Sequence, residues 1–501
     1  MAEIITDTKI LNRLKNCEDV VCRKLKIKNQ IISVIFVQNI TSYNIISDFI
    51  IKPISQIQKI PKTNFIDFLA KEVICGREVK VEKNYDEIIK NLLKGKTVLV
   101  VNGESKAIMV DSALFSTRAI TEPPTSTVLQ GPREGFVESL KDNLSLIRRR
   151  ICTPNLIIKN YEIGRKTKTK VSLLYINSIA SDKLVLRVQK KLQSIDIDGI
   201  IDSNYIASYL QIYPNSIFKQ VGTTEKPDIC VAKILEGRVA ILVDGSPLVL
   251  TLPFLAFENF QSSEDYYTNH HHATFVRWVR MIGVMLAILL PGIFVALQLF
   301  HYGIVPLKFL VTIANTTQGL PFTPLVEMLF ILLLFELLNE ASLRMPKYLG
   351  MAMSIVGALI LGETAVNAGL ISPPAVMIVA LSSMTAFTVA DLSNQISLLR
   401  LAVIIMSAVF GLFGTMLCIV WIISYMASLD SYGTSFLAPM TPFIKNDMQD
   451  YLSVVTRSEM IKNLKSFKNK NSIRAKRPLK MAKNERSVKE WEMLQPIKCV
   501  Q

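Results

Sequence analysis

Between Met281 and Ala427 the chain carries nine ionisable residues besides one histidine: Lys308, Glu327, Glu336, Glu340, Arg344, Lys347, Glu363, Asp391 and Arg400, with a balance of −1. A run so long and so poor in charge cannot cover a soluble domain. Its apolar windows of about 20 residues suit the hydrocarbon core of a bilayer. The whole chain has 501 residues and a formal charge of +16, so the basic excess lies outside this run. Only 20% of residues are charged, below the roughly 25% of ordinary soluble domains. A single soluble enzyme, a disordered chain and a secreted disulfide scaffold are excluded. What remains is a membrane protein with basic soluble parts.

Four strong apolar segments stand out: Met281–Phe300, Leu325–Leu338 with an extension toward 343, Leu349–Ile371 and Leu398–Ala427. A weaker one, Pro373–Ala390, either crosses once or enters and leaves on one side. Loops on the cytoplasmic side carry an excess of Lys and Arg. Arg277 and Arg280 precede the first segment, Arg344 and Lys347 separate the second and third, and the end of the chain is basic. Lys308 and, in one arrangement, Arg400 fall in outer connections. Placing the three basic clusters together requires an even number of crossings: four, plus a broken or re-entrant stretch near 372–395. Five full crossings rank second.

The fold class expected is an α/β N-terminal region of two related subdomains, then an α-helical polytopic membrane domain and a basic helical C-terminal tail. GKTVLVVNGESKAIMV (95–110) resembles GRVAILVDGSPLVLTL (237–252), each an apolar strand, an Asn-Gly or Asp-Gly turn and a second strand. Such dipeptides favour the tight turn that matches strand twist. A β-rich run precedes each hairpin, at 31–40 and 171–180, so the two offsets nearly agree. The boundaries expected are 1–118 for the first subdomain, 119–158 for a connecting amphipathic helix region and 159–275 for the second. The membrane domain follows at 276–428 and the tail at 429–501.

In the connecting region Pro132 suits a first helical turn, and Phe136, Leu140, Leu144, Ile147 and Ile151 fall on one face. Arg148, Arg149 and Arg150 close that helix, where cations complement its carbonyl end. They offer either a basic surface for a partner or anion, or an ordinary helix C-terminus. Seven scattered cysteines without a CxxC pair suit a reducing compartment. Residues 1–30 lack a continuous apolar core, so no signal peptide is expected and the N-terminal part is placed in the cytoplasm. No phosphate-binding, nucleophile-elbow or zinc-protease motif is present. His270, His271 and His272 are consecutive and cannot all face one metal. No enzyme activity, cofactor or metal is expected.

Charge inside an apolar segment is costly, so its occurrence points to packing or passage. Glu336, Glu340 and Arg344 are spaced to form an ion-pair cluster at the membrane edge. Glu363, Asn367 and Leu370, spaced i, i+4 and i+7, share a helical face flanked by Val366 and Ile371. Ser372-Pro373-Pro374 then breaks the helix, and free backbone at that depth is tolerated around water or buried protein. The alternatives are a pore or ion path and a helix-packing seam. Residues 457–489 are dominated by Lys and Arg, which attracts anionic lipid. Their single aromatic, Phe467, is too little to stack bases, and no nucleic acid is expected.

Six stretches in order, EPPTSTVLQGPREGFVESLKDNLSLIRRRI (122–151), LLPGIFVALQLFHYGIVP (289–306), FELLNEASLRMP (335–346), IVGALILGETAVNAGLISP (355–373), SLDSYGTSFLAP (428–439) and RAKRP (474–478), resemble the A subunit of GerA-type spore germination receptors. Asn339 and Gln130 stand where that family commonly has Arg. The resemblance implies residence in the inner membrane of the bacterial spore. It also implies assembly with a transporter-like B subunit that senses the nutrient and a lipoprotein C subunit. It further implies a homo-oligomeric ring acting as a nutrient-gated channel for monovalent cations. On that expectation Glu363 and Asn367 line the pore, and Val366, Leu370 or Ile371 form an apolar gate. A stage V sporulation AF-like accessory subunit, a membrane scaffold and a secondary transporter are the competing expectations.

Overall fold

The computed structural model describes residues 5–15, 17–28, 30–58, 61, 64–76, 78–114, 130–346, 357, 360–454, 464–467 and 469–471. The N-terminal half contains two five-stranded antiparallel sheets of one design. The first is built from β1 (Val20–Ile27), β2 (Gln30–Val37), β3 (Val79–Glu82), β4 (Lys96–Val101) and β5 (Ala107–Asp111). The second uses β6 (Leu156–Ile163), β7 (Thr169–Ile176), β8 (Gly222–Thr224), β9 (Val239–Val243) and β10 (Val249–Leu252). Their orders, β1-β2-β4-β5-β3 and β6-β7-β9-β10-β8, are the same. The internal repeat is therefore a repeat of topology.

Both sheets are covered on both faces, which explains why their central strands are unbroken apolar runs rather than alternating ones. In the first sheet, α1 (Asp7–Arg13) and α2 (Tyr85–Leu93) pack with Ile35, Val98 and Val100 on one face. Short helical turns around 46–54 and 65–74 pack with Val34, Leu99 and Ile108 on the other. In the second, α3 (Leu140–Arg150) and α6 (Pro227–Leu235) cover Leu174, Ala240 and Leu242. The opposite face holds α4 (Asp182–Gln193) and α5 (Ser203–Leu210) over Leu173, Ile241 and Leu250.

Two local expectations change. The repeated turns span five residues, 102–106 and 244–248, not two. Only Gly103 and Gly245 take positive φ, at 88° and 86°. The helix α3 begins at Leu140, where the Ser139 side chain accepts the Asp142 N–H, and Pro132 lies upstream of it. Residues 130–138 instead form a loop bonded to the second subdomain, the Phe136 N–H donating to the Glu225 carbonyl and the Gly245 N–H to the Glu138 carbonyl. The five apolar residues from Phe136 to Ile151 do share one core, and it belongs to the second subdomain.

The C-terminal half is a helical bundle. It comprises α7 (His270–Leu299), α8 (Leu307–Thr317), α9 (Pro324–Arg344), α10 (Pro373–Ala386) and α11 (Ser393–Ser428). Leu398–Ala427, expected as one crossing, is two antiparallel arms. Gly411 turns the chain with φ 62° and ψ −145°, a conformation open to glycine alone at little cost. Leu399 and Leu429 then share a core with Phe218 and Phe254; a straight helix would hold them about 45 Å apart. The turn sits against Phe300 and His301, at the end of α7 remote from the sheets. Arms 393–410 and 412–428 run away from the α/β region and back to it.

Contacts orient the other helices between this far end and the near end. Ile371 and Ala375 pack with Phe294 and Val295 at the far end, and Ala386 with Val284 and Ala287 at the near end. Thus α10 runs inward. So does α9, from Met328 beside Phe294 to Glu336 beside Arg400. Of the segment 349–371, residues 349–356, 358 and 359 lie outside the described residues.

Past α11 the chain returns to the second subdomain. Tyr432 donates its hydroxyl to the Leu210 carbonyl, Phe254 N–H donates to Ser431, and Asn469 donates to the Glu236 carbonyl. With α12 (Lys445–Tyr451), this part of the tail forms a core with Leu255, Phe257 and Phe467. The tail expected as a separate basic unit is thus partly docked; 455–463 and 472–501, which hold most of its charge, lie outside the described residues.

Candidate functional site

The proposed pore stretch is a break between helices. One π-helical turn, Ile360–Thr364, and a short α segment, Ala365–Asn367, end at Gly369 with φ 66°. The Leu370 N–H donates to Ala365 (3.1 Å) and the Gly369 N–H to Val366 (3.0 Å), the paired bonds that satisfy carbonyls at a helix end. Ser372 then caps α10, its side chain accepting the Ala375 N–H, with Pro373 in the first turn. The buried Glu327 carboxylate on α9 accepts the Ser372 N–H. An acid placed there meets the positive end of the helix dipole. The break is therefore held at both ends by hydrogen bonds.

The structure divides the five candidates of this stretch. Glu363 and Asn367 are exposed, Leu370 is 42% exposed and Val366 is half-buried. Ile371 is 1% exposed, inside the core formed with Phe294, Val379 and Ile404. Its side chain supports the interior of the bundle and does not join the outward face.

The expected trio of Glu336, Glu340 and Arg344 is split. Glu340 and Arg344 pair with each other across one helical turn and are exposed. Glu336 instead accepts from Arg400 at 3.0 Å and from the Ser397 hydroxyl. Arg400 also donates to Ser382 and Ser383, and Ser382 to the Ala287 carbonyl. Arg400 is 4% exposed, so it ties α9, α10 and α11 together and is not in an outer connection. Sequence spacing found the neighbour four residues away and missed the one 64 residues away.

Arg148 is not a surface group. Its guanidinium is 0% exposed and grips Asp19 with bonds of 2.8, 2.9 and 3.0 Å. Beside it Cys17 bridges to Ile158, so the pair clamps the first subdomain to the second. Arg149 and Arg150 share Glu134. Partial burial raises the Glu134 pKa, but the two guanidiniums outweigh it and hold the carboxyl below its ordinary range. Arg277 and Arg280, at the start of α7, both grip buried Asp265, and Arg277 also donates to the Asp450 and Tyr451 carbonyls.

A second cluster escaped the sequence reading altogether. Arg238 and Lys233 surround the buried Glu258 carboxylate, and Glu236 pairs with Arg238 at 3.2 Å. The Arg238 guanidinium lies 4.4 Å from the Phe467 ring centroid. Phe467 therefore caps a buried ion-pair network. Arg238 stands just before β9, in the repeat position where Lys96 opens β4, and that equivalence is the one signal that marked its position.

Fold and site together define a duplicated α/β head on an apolar helical bundle with a break near its far end. Among the described residues, His270–Leu299 and Pro373–Ser428 are long and apolar enough to cross a membrane. Residues 8–466 match the family described as Bacillus/Clostridium GerA spore germination protein, and the chain belongs to it. Spore germination protein KA of Bacillus subtilis (strain 168) is 36% identical over 457 residues, covering 90% of this chain and 84% of that protein. The uncharacterized membrane protein YfkQ of the same organism is 33% identical, covering 87% and 85%. Among solved structures, the N-terminal domain of the A subunit of the Bacillus megaterium spore germinant receptor GerK3 covers 49% of this chain and 91% of its own. It is 29% identical, with a TM-score of 0.39.

Proposed function

We propose that this chain is a polytopic membrane subunit of a nutrient-responsive germination receptor, whose copies form a ring enclosing a gated path for monovalent cations. The supporting observation is the outward polar face at the helix break, where Glu363, Asn367 and Leu370 turn away from the protomer core. In a ring such a face lines a shared lumen, the carboxylate and amide replacing hydration and Leu370 closing the path by dewetting. Membership of the germination family supports the setting: the inner spore membrane, with a transporter-like B subunit and a lipoprotein C subunit. On this reading the α/β head is cytoplasmic. The return arm of α11 brings the tail to the same side as the head, which suits an even number of crossings. Anionic lipid is the partner proposed for the basic tail.

The test is membrane potential, followed with a voltage-sensitive dye in vegetative cells that express the chain with its partner subunits at equal levels. Leu370→Ala is expected to depolarise the cells where the unmodified chain does not. Intact potential in assembled Leu370→Ala, Val366→Ala and Glu363→Gln variants would overturn the gate assignment. A non-conducting scaffold, or an accessory subunit of the stage V AF kind, would then account for the chain.

A further inference from the structure

A cavity of about 690 Å³ lies at the seam between the second subdomain and the near end of the bundle. Its walls come from β8, α6, the turns that follow β10, Arg280 of α7 and the short segment 388–391 before α11. That volume is within the range of small-molecule sites. Most of its charges are already matched. Arg238 and Lys233 hold Glu258, Arg280 holds Asp265, and Asp228 accepts from the Tyr267 hydroxyl.

Two cations make direct bonds only to neutral groups, although the Asp391 carboxylate in the same wall acts on Lys219 at longer range. Lys226 is 1% exposed, and its ammonium donates to the Ser263 hydroxyl at 3.2 Å. Lys219 donates to the Thr223 hydroxyl at 2.7 Å, and burial, the largest influence, lowers its pKa. Neither has a carboxylate within ion-pair distance among the described residues. Each ammonium carries three donors, so both retain unused capacity in a site where an unpaired charge is costly. The same walls hold two buried acceptors without a donor among the described residues, Glu225 Oε2 and Asn259 Oδ1. Together these groups call for a ligand that brings negative charge and hydroxyl donors at once.

We infer that this cavity binds a hydroxyl-bearing phosphate ester. Its phosphate oxygens accept from Lys219 and Lys226, and its hydroxyls donate to Glu225 and Asn259. The chemistry stands without the membrane reading, and only the source rests on it. Exposed Phe275, Trp278 and Ile282 share the face of α7 opposite Arg280, at the same level along the helix, and form an aromatic and apolar band of the kind found at membrane interfaces. The glycerol phosphate headgroup of an anionic lipid is the source expected there.

The purified full chain, and its Lys219→Met, Lys226→Met and Glu225→Gln variants, would be tested with two probes. One is free glycerol 3-phosphate, followed by thermal shift. The other is retention of phosphatidylglycerol against phosphatidylcholine, followed by native mass spectrometry. Loss of one charge-assisted bond is expected to weaken phosphatidylglycerol retention roughly tenfold in each lysine variant, with phosphatidylcholine unchanged. Sensitivity to glycerol 3-phosphate alone would keep the site and make its ligand soluble. The inference fails if Lys219→Met, with its unfolding midpoint unchanged, alters neither probe. It fails equally if phosphatidylcholine retention falls in step with phosphatidylglycerol, since that reports general damage.

Discussion

The two subdomains share strand order and layering, yet they differ in what lies against them. Lys96 and Arg238 occupy equivalent positions in the repeat, the first opening β4 and the second immediately preceding β9. In the first subdomain Lys96 makes an accessible bridge to Glu78 at 3.0 Å. In the second Arg238 is buried among Glu236, Glu258 and Phe467. A duplicated fold has thus been put to two uses. The second copy is the base to which bundle and tail are fastened, and the first hangs from it through Arg148 and Asp19. The difference lies in coverage, not topology, and burial turns an ordinary surface cation into a structural one.

The largest effects should come from breaking the buried pairs. Arg148→Met leaves Asp19 buried and unpaired and should cost about 3–5 kcal/mol. Hydrogen exchange should show the seam at Cys17 and Ile158 opening while β9 and β10 stay protected. Arg238→Met should cost a similar amount, about 3–5 kcal/mol, but release Phe467 and the tail; equal exchange in both subdomains would refute the division of roles. Equivalent core truncations should instead erase the contrast. Leu99→Ala and Ile241→Ala, each fully buried, should cost about 2–5 kcal/mol in denaturant titrations.

Smaller effects sharpen the comparison. Tyr432→Phe removes the bond to Leu210 and should cost about 0.5–1.5 kcal/mol, with faster exchange confined to the base. Lys96→Met should barely move the unfolding midpoint, because exposed bridges contribute little. Hydrogen bonds from Lys80 and Lys96 push the Glu78 carboxyl down from 4.5 to about 2. Its contribution is therefore complete above pH 4.5 and lost as pH falls toward about 2. Glu78→Gln should remove that acid dependence from the first subdomain alone.

The layered α/β head was legible because its signals are local: apolar runs, a glycine in each repeated turn and an amphipathic stretch from Phe136 to Ile151. The buried arginines were not, since a sequence displays a charge without its partner, and Asp19 lies 129 residues from Arg148. Gly411 was hidden for another reason. Both arms of its hairpin pack against apolar neighbours, so the reversal needs no polar loop to announce it. The break at Gly369–Ser372 was visible in Ser-Pro-Pro. Its anchor, Glu327, was not, because nothing local ties an acid on α9 to the start of α10.

The return of α11 to the second subdomain also sets an order of assembly. Phe254 is tied to Ser431, 177 residues later, and Leu210 to Tyr432, 222 residues later. On a ribosome the second sheet emerges long before the residues that seal it. Much of its Phe218 and Phe254 surface stays uncovered until α11 is made, and contacts so distant in sequence close last. The nascent chain is thus most prone to association during that interval. A chain stopped before α11 would keep much of that surface exposed permanently, however well its sheets had formed.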